Sequence, residues 1–299
     1  MPYSAASDRA RDRFHALFVV CVLAVASLVI AFLGATPARV SATELLGDPR
    51  TPGDAAFIAS HRGGGATAPE NTLPAVEAAL AGGFGYVEVD VALTADGHPV
   101  LMHDAKVDRT TDGSGRLASL TLEQVRALDA GAWFDPGFAG TRVPTLAEFL
   151  DVLDRAGGRA IIELKGLWDA ASVDRALAEV AARELERSVA IASFDARTLA
   201  LTATASEVVS RLLILKHVPK DVVTAAAQAG VRGIIVDRKA VLARPEIVDE
   251  LHDAGARVVV YTLNKDAQWD AVTALGVDGI VTDDPHTLSE WQSTEAVDR

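Results

Sequence analysis

Between positions 60 and 104 the chain carries three short clusters of acidic residues and histidine: Ser60-His61-Arg62-Gly63, Glu88-Val89-Asp90 and His103-Asp104. A fourth, Glu163-Leu164-Lys165, follows about sixty residues later. Imidazoles exchange protons near neutral pH, carboxylates bind hard cations, and guanidinium or ammonium groups neutralise anions. Together these groups form an inventory for acid–base cleavage of an anionic ester held on a hard cation. No apolar core needs them at these places.

Glu88 and Asp90 stand two apart, so on a β-strand they point to the same side. Two carboxylates on one face repel each other and tend to keep a proton unless a cation sits between them. With no cysteine beside them, a hard divalent cation, Mg²⁺ or Ca²⁺, suits the pair, and Glu163 can complete the set. Each cluster alone has a plainer reading. A histidine at a strand end is commonly structural, Glu-x-Asp is often a solvated strand face, and Glu163-x-Lys165 can be an ordinary ion pair. Their joint placement is what argues for a site. His15, His98, His217, His252 and His286 have no acidic constellation around them in the sequence and read as surface or packing residues. Gly63-Gly64-Gly65 reads either as a phosphate cradle of backbone N–H groups or as a plain turn; with no Lys-Ser/Thr following, it is not a P-loop.

The elements that must position these groups follow from hydrophobic pattern. Eight short β-rich runs recur: Phe57–Ser60, Tyr86–Val91, Ala160–Leu164, Val189–Ala192, Leu212–Leu215, Gly233–Val236, Val258–Thr262 and Gly279–Thr282. Alanine-rich amphipathic stretches such as Ala170–Glu186 and Asp221–Ala229 lie between most of them. Apolar strands alternating with helices indicate a parallel sheet covered by helices. Eight such units predict the α/β class and an eight-stranded parallel (β/α)8 TIM barrel. A ninth run, Pro99–Met102, follows strand two too closely for the crossover that a parallel neighbour needs. It is placed in a small insertion after the second strand, about residues 94–145, as a cap over the barrel mouth. A helix is expected between strands one and two, opening at Asn71-Thr72 with the asparagine as N-cap and stopping at Gly82-Gly83. His61 then ends strand one, Glu88 and Asp90 end strand two, and Glu163 and Lys165 end strand three. That is the end of a barrel where active sites are built.

Composition sets the setting. The chain of 299 residues is 49% hydrophobic and 23% charged, which suits a globular body with no second domain boundary in it. The first 42 residues differ: Arg9, Arg11 and Arg13 precede an uncharged stretch from Ala16 to Ala35, and Val40-Ser41-Ala42 offers small residues for a cut. This predicts an export signal over residues 1–42, or a membrane anchor through residues 16–35 if the segment is retained, and an exported body over 43–299. The single cysteine, Cys21, lies inside that segment, so the body contains no disulfide. Without residues 1–42 the body has 24 basic and 39 acidic residues, a net charge of −15. Such a surface repels nucleic acid, and an anionic substrate needs a local basic site or a bound cation.

The motifs, taken together, resemble the glycerophosphodiester phosphodiesterase family. The resemblance rests on His61-Arg62-Gly63 with Pro69-Glu70-Asn71-Thr72, then Glu88-Val89-Asp90-Val91, then His103-Asp104. It continues through Val143-Pro144-Thr145-Leu146 with Glu148, Ile162-Glu163-Leu164-Lys165, Ser193-Phe194-Asp195, Tyr261-Thr262-Leu263-Asn264 and Asp278-Gly279-Ile280-Val281-Thr282-Asp283. It implies His61 and His103 as catalytic acid and base, Glu88, Asp90 and Glu163 as ligands of a divalent cation, and Arg62 and Lys165 as holders of the phosphate. By similarity His61 is the base and His103 the acid. Water or the substrate's own glycerol hydroxyl attacks. Tyr261 departs from the tryptophan that many members carry, and Gly64-Gly65-Ala66-Thr67-Ala68 is filled differently from the usual pattern. The implied activity is metal-dependent hydrolysis of a small-molecule glycerophosphodiester to glycerol phosphate and an alcohol. Alternatives are a lysophospholipase D-like activity, with Trp133, Phe134 and Phe138 lining an acyl groove, or an inactive exported binding barrel. A glycosidase using Glu88 and Glu163 would leave both histidines and Lys165 unexplained.

Overall fold

Eight parallel strands close into a ring in the computed structural model, which describes residues 40–297. The ring is β1 (Phe57–Ser60), β2 (Tyr86–Leu93), β4 (Ala160–Leu164), β5 (Val189–Ser193), β6 (Ser210–Leu215), β7 (Gly233–Asp237), β8 (Arg257–Tyr261) and β9 (Gly279–Thr282). Pairing of β1 with both β9 and β2 shuts it, with Ser60 opposite Thr282 on one side and Val87 on the other. The strands match the predicted runs to within a residue or two at each end. The expected residues 1–39 of the export segment lie outside the described residues, and among those described no helix is long and apolar enough to cross a membrane.

The ninth apolar run is β3 (Pro99–Leu101), antiparallel to β2 and outside the ring. It opens the insertion, which has a small core of its own from Val100, Met102, Val107, Leu117, Val125, Ala130 and Val143. Trp133, Phe134 and Phe138 pack edge to face on one another there, with successive ring centroids 5.7 Å apart.

Strand alternation divides the apolar residues into two layers. On β2, Val87, Val89 and Val91 face outward and join the main core beneath the helices, where Phe149, Leu150 and Trp269 are also buried. Inward positions such as Ala59, Ile161, Ala192, Leu212, Ile235 and Val281 fill the lower barrel. Glu88 and Asp90, between the outward valines, therefore point into the barrel above that apolar layer. β2 runs on to Leu93, so the two acids lie within the strand rather than at its end.

The opposite end is closed by the short helix Ala42–Leu46. Val40, Leu45 and Leu46 are buried with the inner layer. Arg257 donates to the Gly47 carbonyl and the Thr43 hydroxyl, both at 2.9 Å, Arg232 to the Val40 carbonyl at 3.2 Å, and Tyr86 Oη to the Leu45 carbonyl. Arginines at the lower ends of β7 and β8 thus satisfy the carbonyls that flank this helix, and Tyr86 one inside it.

Candidate active site

The strand β1 passes into a tight turn at His61–Gly63, and this turn aims the first cluster. Arg62 has φ +55° and Gly63 and Gly64 have φ +86° and +87°. A left-handed arginine costs about 1–2 kcal/mol. It is held because its N–H donates to Glu88 Oε2 and its carbonyl accepts from the Asn71 N–H, each at 2.9 Å. A side chain at Gly63 would stand 2.9 Å from the backbone of Ala75 and Val76, so the turn needs glycine there. The N–H groups of Gly64 and Gly65 both donate to the His61 carbonyl, at 2.8 and 3.3 Å. The glycine run is therefore a turn rather than a phosphate cradle.

Glu88, Asp90 and Glu163 are buried together, each offering an oxygen within 4.8 Å of the others. The pairing of β2 with β4 sets Asp90 directly beside Glu163. Lys165 Nζ lies 2.9 Å from Glu163 Oε1 and 3.5 Å from Asp90 Oδ1. Arg62 Nε is 3.3 Å from Asp90 Oδ2, close enough for an ion pair but without hydrogen-bond geometry. Asn71 grips Asp90 twice: its Nδ2 donates to Oδ2 at 2.9 Å and its Oδ1 accepts from the Asp90 N–H at 3.0 Å. This overturns its reading as an N-cap. Thr72 holds that place, with no side-chain capping bond, and the helix runs over Leu73–Ala81. A buried carboxylate left without donors costs more than the ~1 kcal/mol a cap contributes, so the asparagine serves Asp90.

Charge balance shows what the acids fit. Burial, reinforced by the charge of Asp90, pushes Glu88 up to about 8. Burial and Asp90 also raise Glu163. For Asp90 burial is opposed and outweighed by Lys165 and Arg62, so it is lowered. A converging all-oxygen set in which burial and mutual repulsion push two of the acids toward holding a proton matches the donor chemistry of a divalent hard cation, which would relieve that repulsion.

The two histidines face the same cavity, about 640 Å³, together with the acids, Arg62 and Lys165. Each has Nδ1 held by a carboxylate at 2.6 Å: His61 by Asp283 and His103 by Asp104. Carboxylates only accept, so Nδ1 carries the proton and Nε2 is left for the cavity. Asp283 is itself oriented by Asn264, whose Nδ2 donates to it at 2.6 Å. Asp104 accepts from Arg109 Nε at 2.7 Å, and Arg109 forks onto Glu70 at 2.7 and 2.8 Å. Glu70 also accepts from Arg62 at 2.7 Å, so the insertion's histidine is tied to the turn after β1.

Burial lowers His61, but the hydrogen bond to Asp283 and the charge of Glu88 outweigh it and raise the group. In His103 burial wins over Asp90 and Asp104 and the group is lowered. The structure thus gathers every residue that the sequence singled out: His61, His103, Glu88, Asp90, Glu163, Arg62 and Lys165. Asp283, Asn264 and Arg109 acquire partners here that sequence reasoning did not assign. Two histidines set aside earlier do have acidic neighbours: His252 Nε2 is 2.8 Å from Asp278 and His98 Nδ1 3.4 Å from Asp96. Neither lines the cavity, so both are structural.

Comparison with known proteins supplies the lineage. The model of the glycerophosphoryl diester phosphodiesterase family matches residues 61–287. A glycerophosphodiester phosphodiesterase of Caldanaerobacter subterraneus subsp. tengcongensis is 31% identical over 241 residues, covering 78% of this chain and 96% of that protein. Mouse glycerophosphodiester phosphodiesterase 1 is 47% identical over 123 residues, 40% of this chain and 37% of its own. Among solved structures, the glycerophosphodiester phosphodiesterase of Agrobacterium tumefaciens superposes with a TM-score of 0.69 at 30% identity, covering 79% of this chain and all (100%) of that one. An Oleispira antarctica phosphodiesterase, solved with the product sn-glycerol-3-phosphate, gives a TM-score of 0.72 at 25% identity over 79% and 96%. The chain therefore belongs to the glycerophosphoryl diester phosphodiesterase family.

Proposed function

We propose that this glycerophosphodiester phosphodiesterase cleaves its substrate with His61 and His103 as an acid–base pair beside a divalent cation. The observation that carries the reading is the convergence of three buried carboxylates with two carboxylate-held imidazoles on one cavity. Glu88, Asp90 and Glu163 would hold Mg²⁺ or Ca²⁺, which when bound supplies charge neutralisation at the phosphate. Arg62 and Lys165 bind the phosphate oxygens and cancel charge that would repel a nucleophile. His61 Nε2 takes a proton from the attacking hydroxyl, and His103 Nε2 delivers one to the departing alkoxide. Glu88 engaged by a cation would no longer raise His61, which favours the neutral imidazole that a base requires. The exported location over residues 43–299, with or without a membrane anchor through residues 16–35, belongs to the same reading.

Leaving-group chemistry tests the roles. His61→Ala and His103→Ala should each lower turnover by ~10² to 10⁴-fold. A nitrophenyl phosphodiester needs little protonation on departure, so it should rescue His103→Ala more than His61→Ala. Rescue of His61→Ala instead would reverse the roles. Undiminished turnover in both variants would remove the histidines from the chemistry.

A further inference from the structure

The cavity holds a third cation that the phosphate chemistry does not use. Lys216 follows β6 directly and lines the cavity, two strands round the ring from Glu163 on β4. Lys165 is ion-paired with Glu163 and Asp90, and Arg62 with Glu70 and Asp90, beside the place assigned to the phosphate. Lys216 makes no ion pair among the described residues. Leu215 pairs with Val236, so Lys216, one residue past β6, has Asp237, the last residue of β7, as its neighbour across the sheet. The Asp237 carboxylate, however, turns away to accept from the Lys239 N–H at 2.8 Å. Lys216 instead rests over the Phe194 ring, 5.7 Å from its centroid, while Lys165 approaches the same ring at 5.9 Å. Tyr261 meets Phe194 edge to face at 6.3 Å and continues the wall.

An aromatic wall by itself attracts a quaternary ammonium. Here two ammonium groups already occupy that ring, so a cationic head would meet repulsion at short range, and an anionic one would find Lys216 unpaired. A body of net charge −15 gives such a local positive site a clear use. Resting on the phosphodiesterase reading above, we infer that Lys216 is a specificity residue selecting glycerophosphodiesters whose alcohol carries an anionic group, a carboxylate or a second phosphate.

Glycerophosphoserine and glycerophosphoethanolamine differ by one carboxylate and make the direct test on the full chain with Mg²⁺ or Ca²⁺ present. The serine diester should show the higher kcat/KM. Lys216→Gln should shrink that preference by roughly fivefold or more, the scale of one lost charge-assisted hydrogen bond, and Lys216→Glu should invert it. A diester whose alcohol ends in a phosphate should respond as the serine one does if charge is what Lys216 reads. Absence of any preference in the wild-type protein overturns the inference. So does an equal loss on both diesters, which would place the lysine on the phosphate they share. If no diester is cleaved, the phosphodiesterase reading fails, a result distinct from cleavage without selectivity.

Discussion

Asp283 is 222 residues from His61 in sequence and 2.6 Å from it in space. It holds Nδ1, fixes the ring, and favours the protonated imidazole of His61. Asn264 binds the second Asp283 oxygen and also accepts from Thr282 Oγ1 at 3.1 Å and the Asp283 N–H at 2.9 Å. Replacing Asp283 with Asn keeps the shape and removes the charge. Turnover should fall roughly 10 to 100-fold, as for other groups that orient a working side chain. The sign on the pH profile follows: Asp283 raises His61, so its loss lowers that group, and the limb reporting a neutral base moves to lower pH. A limb that stays in place as turnover falls would separate Asp283 from the titration of His61.

Among the elements, the helix Ala42–Leu46 and the residue before it are the least expected. Cleavage after Ala42, as the small residues there suggest, would remove Val40, which is buried in the barrel floor, and Ser41, whose hydroxyl caps the helix through the Glu44 N–H at 3.0 Å. Burying a valine contributes about 1.5–3 kcal/mol and a cap about 1 kcal/mol. A chain beginning at Thr43 should therefore melt roughly 5–10 °C below one beginning at Val40, read by calorimetry. Equal melting temperatures would mean that these residues contribute nothing to the floor. The insertion matters for a different reason. It carries His103 to the cavity, and the Arg109 fork onto Glu70 fastens it to the barrel.

For the whole molecule the governing quantity is charge. A body of net charge −15 concentrates three carboxylates in one buried place, a self-repulsion that a divalent cation would relieve. Exhaustive chelation should abolish hydrolysis of glycerophosphoserine, and added Mg²⁺ or Ca²⁺ should restore it. Binding can be read without activity: saturation at about 100 times Kd should stabilise the fold by about 2.7 kcal/mol. Glu163→Gln should weaken that thermal shift. Full activity after chelation, with no shift on adding either ion, would sink the cation site.

The residue types of the site and the eight-strand count were legible in the sequence because both depend on local pattern. Alternation on β2 places Glu88 and Asp90 on one face wherever the strand goes, and continuous apolar runs between helices mark a parallel barrel. What the sequence could not assign depends on closure of the ring. Only the pairing of β9 with β1 brings Asp283 to His61, and only the fold of the insertion brings Arg109 to Glu70. Asn71 illustrates the physical reason. Its local signal is that of a helix cap, and the demand of a buried charge on a neighbouring strand overrides it. Local pattern is set by the chain's own neighbours, whereas the partners of buried charged groups are set by what the tertiary structure leaves unsatisfied.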